Sequence, residues 1–357
     1  HPYLYLPTCL KMTTSTYGRP PLTVLSEDEL MFRDAVAAFA ASEVAPRVKT
    51  MELAGKFDQA LIPQYFDLGL MAIEVEERFG GSAGTLMMVT LAVEELSKID
   101  ASAAIVCDVQ NTLVNYPIAH YGTEDQKTKY LGMLSSGTLG SYALSEADSG
   151  SDAFALATRA EKRGSTYYLN GRKLWITNGA EAGVYVVFAT VDPSAGYKGI
   201  TAFIIERGFA GFSVGKKEDK LGIRASSTVE LVLDNCEVPE ANVLGPVGQG
   251  YKIAIETLNG GRVGIGAQMI GVAQGALNAA VAYVKERQQF GKPLADMQAV
   301  QFQIAQAATD IEAARLLVYN AARLKDAGRD IVREGAMAKL YSSQVCGRVT
   351  SLCVELF

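Results

Sequence analysis

Residues 142–152 read Tyr-Ala-Leu-Ser-Glu-Ala-Asp-Ser-Gly-Ser-Asp, YALSEADSGSD, and the run continues to Ala155. It falls where the chain changes from helical to strand-forming texture. Three serines, Ser145, Ser149 and Ser151, and a cluster of backbone N–H groups share a stretch too irregular for either periodicity. Such a loop can cradle an oxygen-rich ligand, because successive N–H groups and hydroxyls converge on one acceptor. By residue types alone, the same stretch also reads as a polar turn joining a helix to a strand.

Upstream, Ser26-Glu-Asp-Glu29 is a capping box, and Phe32, Val36, Phe39 and Ala40 then fall on one helical face. Helical stretches follow around Leu61 to Leu70, Thr85 to Ile99, and from the capping box Thr123-Glu-Asp-Gln126 to about Ser135. Residues 26–138 therefore read as an N-terminal α-helical domain, after a tail over 1–25. Downstream, Tyr167-Tyr-Leu169, the turn pair Asn170-Gly171 and Arg172 to Ile176 predict a hairpin, since Asn-Gly suits the two positive-φ positions of a tight turn. Val184 to Val191, Thr201 to Ile205 and Val229 to Leu233 continue as strands, giving an antiparallel barrel or sandwich over 139–241. From Gly250 the helical period returns, with long segments Tyr251 to Glu286, Asp296 to Asp326 and Ile331 to Phe357. Residues 242–357 are expected to form a helical bundle of the four-helix kind, incomplete, with apolar surface to share between subunits. The class is α+β.

Composition narrows the function. With 49% hydrophobic and 20% charged residues in 357, the chain is an ordinary globular one with a large core. A net charge of -6 with dispersed basic residues argues against a nucleic-acid partner. Charged residues or glycines interrupt every apolar run before the roughly 18 to 20 residues that span a bilayer. The five cysteines, Cys9, Cys107, Cys236, Cys346 and Cys353, include no CxxC pair, and the histidines are His1 and His120, so reduced thiols are expected rather than a metal site. The chain opens on His1 and closes on Phe357 inside an apolar stretch, as a C-terminally truncated fragment does. Residues 1–25 carry Lys11, Arg19, several hydroxyls and no acid, which suits the remnant of a mitochondrial transit peptide and equally a disordered tail.

From Ala143 through Ser145-Glu146, Gly150, Asp152 and Ala155, the opening run resembles, position by position, the first motif of the acyl-CoA dehydrogenase family. The resemblance extends over nearly the whole chain. It implies FAD as cofactor, with Tyr142, Ala143, Leu144 and Ser145 along the flavin ring and Ser151 reaching toward the substrate. Asp148 is more acidic than the small residue usual there. Trp175-Ile176-Thr177 is similar to the family's tryptophan motif. A lone tryptophan on a strand is ordinarily core, whereas the resemblance implies that the indole covers the flavin and that Thr177 bonds the ring nitrogen receiving hydride. Arg287 opens RQQFGKPL, and Gln298 follows on the next helix. By residue types this is a solvated helix end. In the family the residues matching Arg287, Phe290 and Gln298 hold the flavin's pyrophosphate and adenine end across a subunit boundary, a task suited to a guanidinium fork. A homo-oligomer, by resemblance a homotetramer, follows.

For the acyl-CoA substrate, the resemblance implies Tyr251 and Asn259-Gly260-Gly261-Arg262 on the channel-lining helix, Tyr197 in GYKGIT on a facing loop, and Arg262 on the phosphorylated coenzyme A tail. The runs GYKGIT, KLGIRASST and YNAARL most resemble the short/branched-chain branch, which desaturates 2-methyl-branched acyl groups from isoleucine breakdown in the mitochondrial matrix and passes electrons to electron-transferring flavoprotein. The reaction needs a carboxylate of raised pKa against the α-carbon. One branch of the family carries it at the position of Gly261; most carry it beyond the last bundle helix. No catalytic base is therefore assigned in this chain, and it is expected beyond Phe357, while Glu355 is expected to approach the flavin. Two other readings compete: an acyl-CoA oxidase-like flavoenzyme and a non-catalytic acyl-CoA-binding relative.

Overall fold

The computed structural model describes residues 21–357; Cys9 and most of the 1–25 tail lie outside them. Ser26 caps α1 (Glu27–Phe39), accepting from the Glu29 N–H while the Glu29 carboxylate accepts from the Ser26 N–H at 2.9 Å, the reciprocal box expected. The chain continues through α2 (Val48–Ala54), α3 (Leu61–Asp67), α4 (Leu86–Ser97), α5 (Ala101–Asp108), α6 (Tyr116–Tyr121), α7 (Glu124–Gln126), boxed by Thr123, and α8 (Gly132–Ser135). Between α5 and α6 the helix widens to a π-helical turn over Val109–Asn115. Pro117, at the start of α6, lacks the N–H that an unbroken helix would need, and the wider turn absorbs the defect. Buried Asn111 and Asn115 fix this turn by donating to Leu70 O and Met71 O, each at 2.8 Å.

The strands are β1 (Gly140–Ala143), β2 (Arg159–Arg163), β3 (Thr166–Thr177), β4 (Val184–Thr190), β5 (Ile200–Glu206), β6 (Phe212–Lys217), β7 (Thr228–Pro239) and β8 (Val243–Leu244). They form one eight-stranded sheet in the order β6-β7-β3-β2-β4-β5-β8, with β1 also on β4. The antiparallel expectation holds for most neighbours, but β1 and β2 both lie parallel to β4. All seven residues of β4 are buried, alternating between two apolar clusters on opposite faces, so its near-continuous hydrophobic run is that of a strand covered on both sides.

The hairpin predicted at Asn170-Gly171 is not there. Those residues lie inside β3 at a β-bulge, and the turn falls at Arg163 to Thr166, between β2 and β3. Gly171 serves a different purpose: a Cβ on it would stand 2.4 Å from the Thr158 hydroxyl, and its φ is 154°. Asn170 accepts from the Asn235 N–H at 2.8 Å instead of capping a turn.

Beyond the sheet run α9 (Gly250–Glu286), the two-residue strands β9 (Gln288–Gln289) and β10 (Lys292–Pro293), α10 (Gln298–Asp326) and α11 (Val332–Leu356). By length and composition α9 is apolar enough to cross a membrane, contrary to the expectation that glycines break every such run. Its glycines serve close packing instead, since Gly271 and Gly275 lie against backbone of α4 and the residue after it. The first and last helical regions share a single core, in which Val36, Leu91 and Cys107 join Val263, Ile270, Ala314 and Val345. Cys107, Cys236 and Cys353 are buried free thiols and Cys346 is half-buried.

Candidate functional site

The Tyr142–Asp152 loop leaves β1 on the fully buried Ala143 and turns back at once. Glu146 and Ser149 exchange backbone hydrogen bonds at 3.0 and 3.2 Å, and the Ser149 hydroxyl donates to Asp152 O at 2.9 Å. Ala147, Asp148, Gly150 and Ser151 are left exposed at the rim. Glu146 is buried and accepts from the N–H groups of Ala157 at 2.7 Å and Thr158 at 3.2 Å, which closes the loop's far end.

Trp175 sits at the second bulge of β3, between Lys173 and Ile176. Its φ is +59°, left-handed for a bulky residue, and 53% of it is exposed while Lys173 and Ile176 on either side are buried. The bulge thus turns an indole out of a strand whose alternation would otherwise bury or pair it. Strain of this kind persists where surrounding structure fixes it, and it gathers at functional sites. Among the bonds that join the loop to β3, the Leu174 N–H donates to Ser145 O at 2.9 Å, and the Ser141 hydroxyl donates to Thr177 O at 2.6 Å.

Between them lies a cavity of about 340 Å³ lined by Tyr142, Leu144, Ser145, Gly150 and Ala153 from the loop, Trp175, Ile176 and Thr177 from β3, Val109 and Leu113 from the π turn, and Leu258 from α9. Its walls are largely apolar, and among the described residues no carboxylate lines it. The Tyr142 hydroxyl is buried with no protein partner among the described residues, and burial holds its phenol above the ordinary range, so it remains protonated. A flat aromatic ligand with a polar edge fits this combination of apolar walls, a planar indole and hydroxyls from Ser145 and Thr177.

Six of the sequence-derived residues, Tyr142, Leu144, Ser145, Trp175, Ile176 and Thr177, meet at this cavity. Ala143 is buried behind it and Ser151 is exposed at the rim. On α9, the Asn259 carboxamide accepts from Arg262, and Gly260 and Gly261 are buried. A Cβ on Gly261 would stand 2.8 Å from the Leu113 side chain, so the glycine is what lets α9 lie against the cavity wall. Tyr251 packs edge-to-face on Tyr197, centroids 4.9 Å apart, and near Phe154 at 6.4 Å, forming an aromatic group two turns before Leu258. Arg287 and Phe290, between α9 and α10, and Gln298, which opens α10, are exposed and do not reach the cavity; Phe290 is 93% exposed at a φ of +54°. Glu355 is exposed on the last turn of α11. The sequence reasoning missed Val109, Leu113, Ala153 and Leu258. Pro117 was the available signal for the first two, since a proline inside a helical pattern marks an irregular turn just upstream.

Sequence models of the acyl-CoA dehydrogenase N-terminal, middle and C-terminal domains match residues 26–138, 141–236 and 248–357. The probable short/branched chain specific acyl-CoA dehydrogenase of Dictyostelium discoideum is 52% identical, over 94% of this chain and 82% of its own. The mitochondrial short/branched chain specific acyl-CoA dehydrogenase of Rattus norvegicus is 49% identical, over 97% and 80%. Among solved structures, butyryl-CoA dehydrogenase from Megasphaera elsdenii matches at TM-score 0.92 and 44% identity, over 94% of this chain and 88% of that one. Glutaryl-CoA dehydrogenase from Mycobacterium smegmatis in complex with FADH2 matches at TM-score 0.88 and 30% identity, over 93% and 84%.

Proposed function

Because this chain belongs to the acyl-CoA dehydrogenase family, a family of FAD-dependent oxidoreductases, we propose that it desaturates short or 2-methyl-branched acyl-CoA thioesters to 2-enoyl-CoA. The observation that carries this is the cavity where Tyr142 to Ser145 faces Trp175 to Thr177, closed by Leu113 and Leu258. The names of the relatives at 52% and 49% identity support the branch.

FAD, when bound, supplies the hydride acceptor for the oxidation of the carbon–carbon bond. Leu144 and Ser145 would present backbone and hydroxyl groups to the ring's polar edge, Trp175 would cover the ring and keep water out, and Thr177 would offer its hydroxyl to the reacting nitrogen. Ser151 stands at the mouth, toward the thioester. Tyr197, Tyr251 and the Asn259–Arg262 turn receive the coenzyme A portion, with Arg262 on its phosphates. Arg287, Phe290 and Gln298 would hold the pyrophosphate and adenine of the FAD in a neighbouring subunit, and Glu355 would approach the flavin, which calls for a homo-oligomer, in our proposal a tetramer.

The α-proton must leave as a proton while the β-hydrogen leaves as hydride, and the electron pair of the α C–H bond becomes the new double bond. Among the described residues no carboxylate lines the cavity, so none of them is assigned as the base. A positioned base is worth about 10²–10⁴ in rate. Removing it should slow the oxidation of 2-methylbutyryl-CoA by about that factor in an artificial-acceptor assay. The electron acceptor is proposed to be electron-transferring flavoprotein, and the setting the mitochondrial matrix, in line with the rat relative. A panel of acyl-CoAs tests the substrate. The highest kcat/KM should fall on 2-methylbutyryl-CoA, and a preference for straight chains longer than six carbons would contradict the branch.

A further inference from the structure

Among the described residues, Lys173 is the one lysine or arginine that is buried. Its ammonium donates to Leu144 O at 3.0 Å and to the Glu146 carboxylate at 2.6 Å. Burial pushes Lys173 down to about 8. Burial also works to raise Glu146, but the ammonium beside it and the donors from Thr158 and Ala157 hold its carboxyl below the usual range. The pair is therefore ionised at neutral pH. A buried ion pair is a poor way to stabilise a core, since apolar residues of similar volume often do as well or better. Its geometry, however, does something a hydrocarbon cannot. The Glu146 carboxylate gathers both ends of the loop, its own backbone at one and the Ala157 and Thr158 N–H groups at the other. Lys173 then ties that carboxylate and the Leu144 carbonyl to β3, two residues before the left-handed Trp175. Leu174, between them, donates its N–H to Ser145 O.

We propose that Lys173 and Glu146 are positioning residues that preset the 144–158 loop and the Trp175 bulge in their flavin-receiving arrangement before FAD arrives. This rests on the assignment of the cavity to the flavin ring.

Three variants, Lys173→Met, Glu146→Gln and the double K173M/E146Q, separate positioning from mere core stability. Each single variant leaves one partner buried and unpaired, and its melting temperature should fall. The double variant removes both charges, and its melting temperature should recover toward wild type while the Kd for FAD remains raised by about tenfold or more. Flavin emission, expected to be quenched by contact with Trp175 in wild type, should be partly restored in the double variant. A double variant with wild-type Kd and fully quenched emission would overturn the proposal. Amide hydrogen exchange on the FAD-free wild-type protein provides a second check that needs no variant to fold. The Ala157, Thr158 and Leu174 amides should already be protected, and protection that appears only on adding FAD overturns presetting. If wild type binds FAD without quenching its emission, the flavin lies elsewhere, and the cavity assignment fails rather than the clamp alone.

Discussion

Asp108 shows how a single side chain beside the site can set a pH dependence. It closes α5, one residue before Val109 in the cavity wall, with a fully buried carboxyl whose side-chain hydrogen bond comes from the Thr112 hydroxyl at 3.0 Å. Burial pushes its pKa up to about 7, and that of half-buried Glu74 is likewise raised to about 7. A carboxyl whose folded pKa lies above its unfolded value favours the fold below the unfolded pKa. That contribution is lost as pH rises toward and through about 7. Asp108→Asn should therefore flatten the fall in stability between about pH 4 and 7 and gain on wild type at pH 8, by at most about 4 kcal/mol. Urea unfolding at pH 4.5 and pH 8 checks this; a loss of equal size at both pH values would show that the carboxyl is not the titrating group. At this scale the sequence was most informative where a residue type has few alternative uses. Trp175 and Thr177 could be picked out through their motif, but nothing in a linear pattern announces the +59° backbone that turns the indole outward. Lys173 was passed over because a strand lysine ordinarily points to solvent.

Helix existence and the change to strands were legible at the scale of elements, because both capping boxes and the two periodicities agreed with the fold. The failures have tertiary causes. Asn170-Gly171 has turn chemistry, yet the glycine is required for the approach of Thr158, and the strand passes straight through. The π turn over Val109–Asn115 is held by side-chain bonds to a distant loop, which no local pattern encodes. The glycines of α9 looked like interruptions and are contacts. A Cβ on Gly271 would stand 2.4 Å from Glu94 O, a backbone atom that cannot swing away. Gly271→Ala should therefore destabilise by about 2–3 kcal/mol despite alanine's better helix propensity. Gly347, exposed on α11, has nothing within 4 Å of an added Cβ, and Gly347→Ala should stabilise by up to about 1 kcal/mol. Thermal melts of the two variants should move in opposite directions; a matching shift would mean that propensity, not contact, governs both.

Across the whole molecule, the shared core of the first and last helical regions means that the helices flanking the sheet fold as one body around it. The helix, strand, helix order was readable from period alone, but this merging was not, because the contacts join residues far apart in the chain, as Gly271 lies against Glu94. The cavity draws on this union, taking Val109 and Leu113 from one region, Leu258 from the other and the motif residues from the sheet. A ligand bridging all three should stabilise the whole by mass action, about 2.7 kcal/mol at a hundredfold excess over Kd. The melting temperature should rise steadily with the logarithm of FAD concentration, and a melt insensitive to FAD would deny the bridge.

Trp175 is the single tryptophan of the chain, so the flavin's place can be read by emission. FAD is added to wild type and to Trp175→Phe, with binding measured independently by retention of the flavin on gel filtration. A flavin seated in the Tyr142–Asp152 cavity under the indole predicts quenched flavin emission in wild type and a clear recovery in the variant while FAD stays bound. Equal flavin emission in the two proteins at equal occupancy would contradict it.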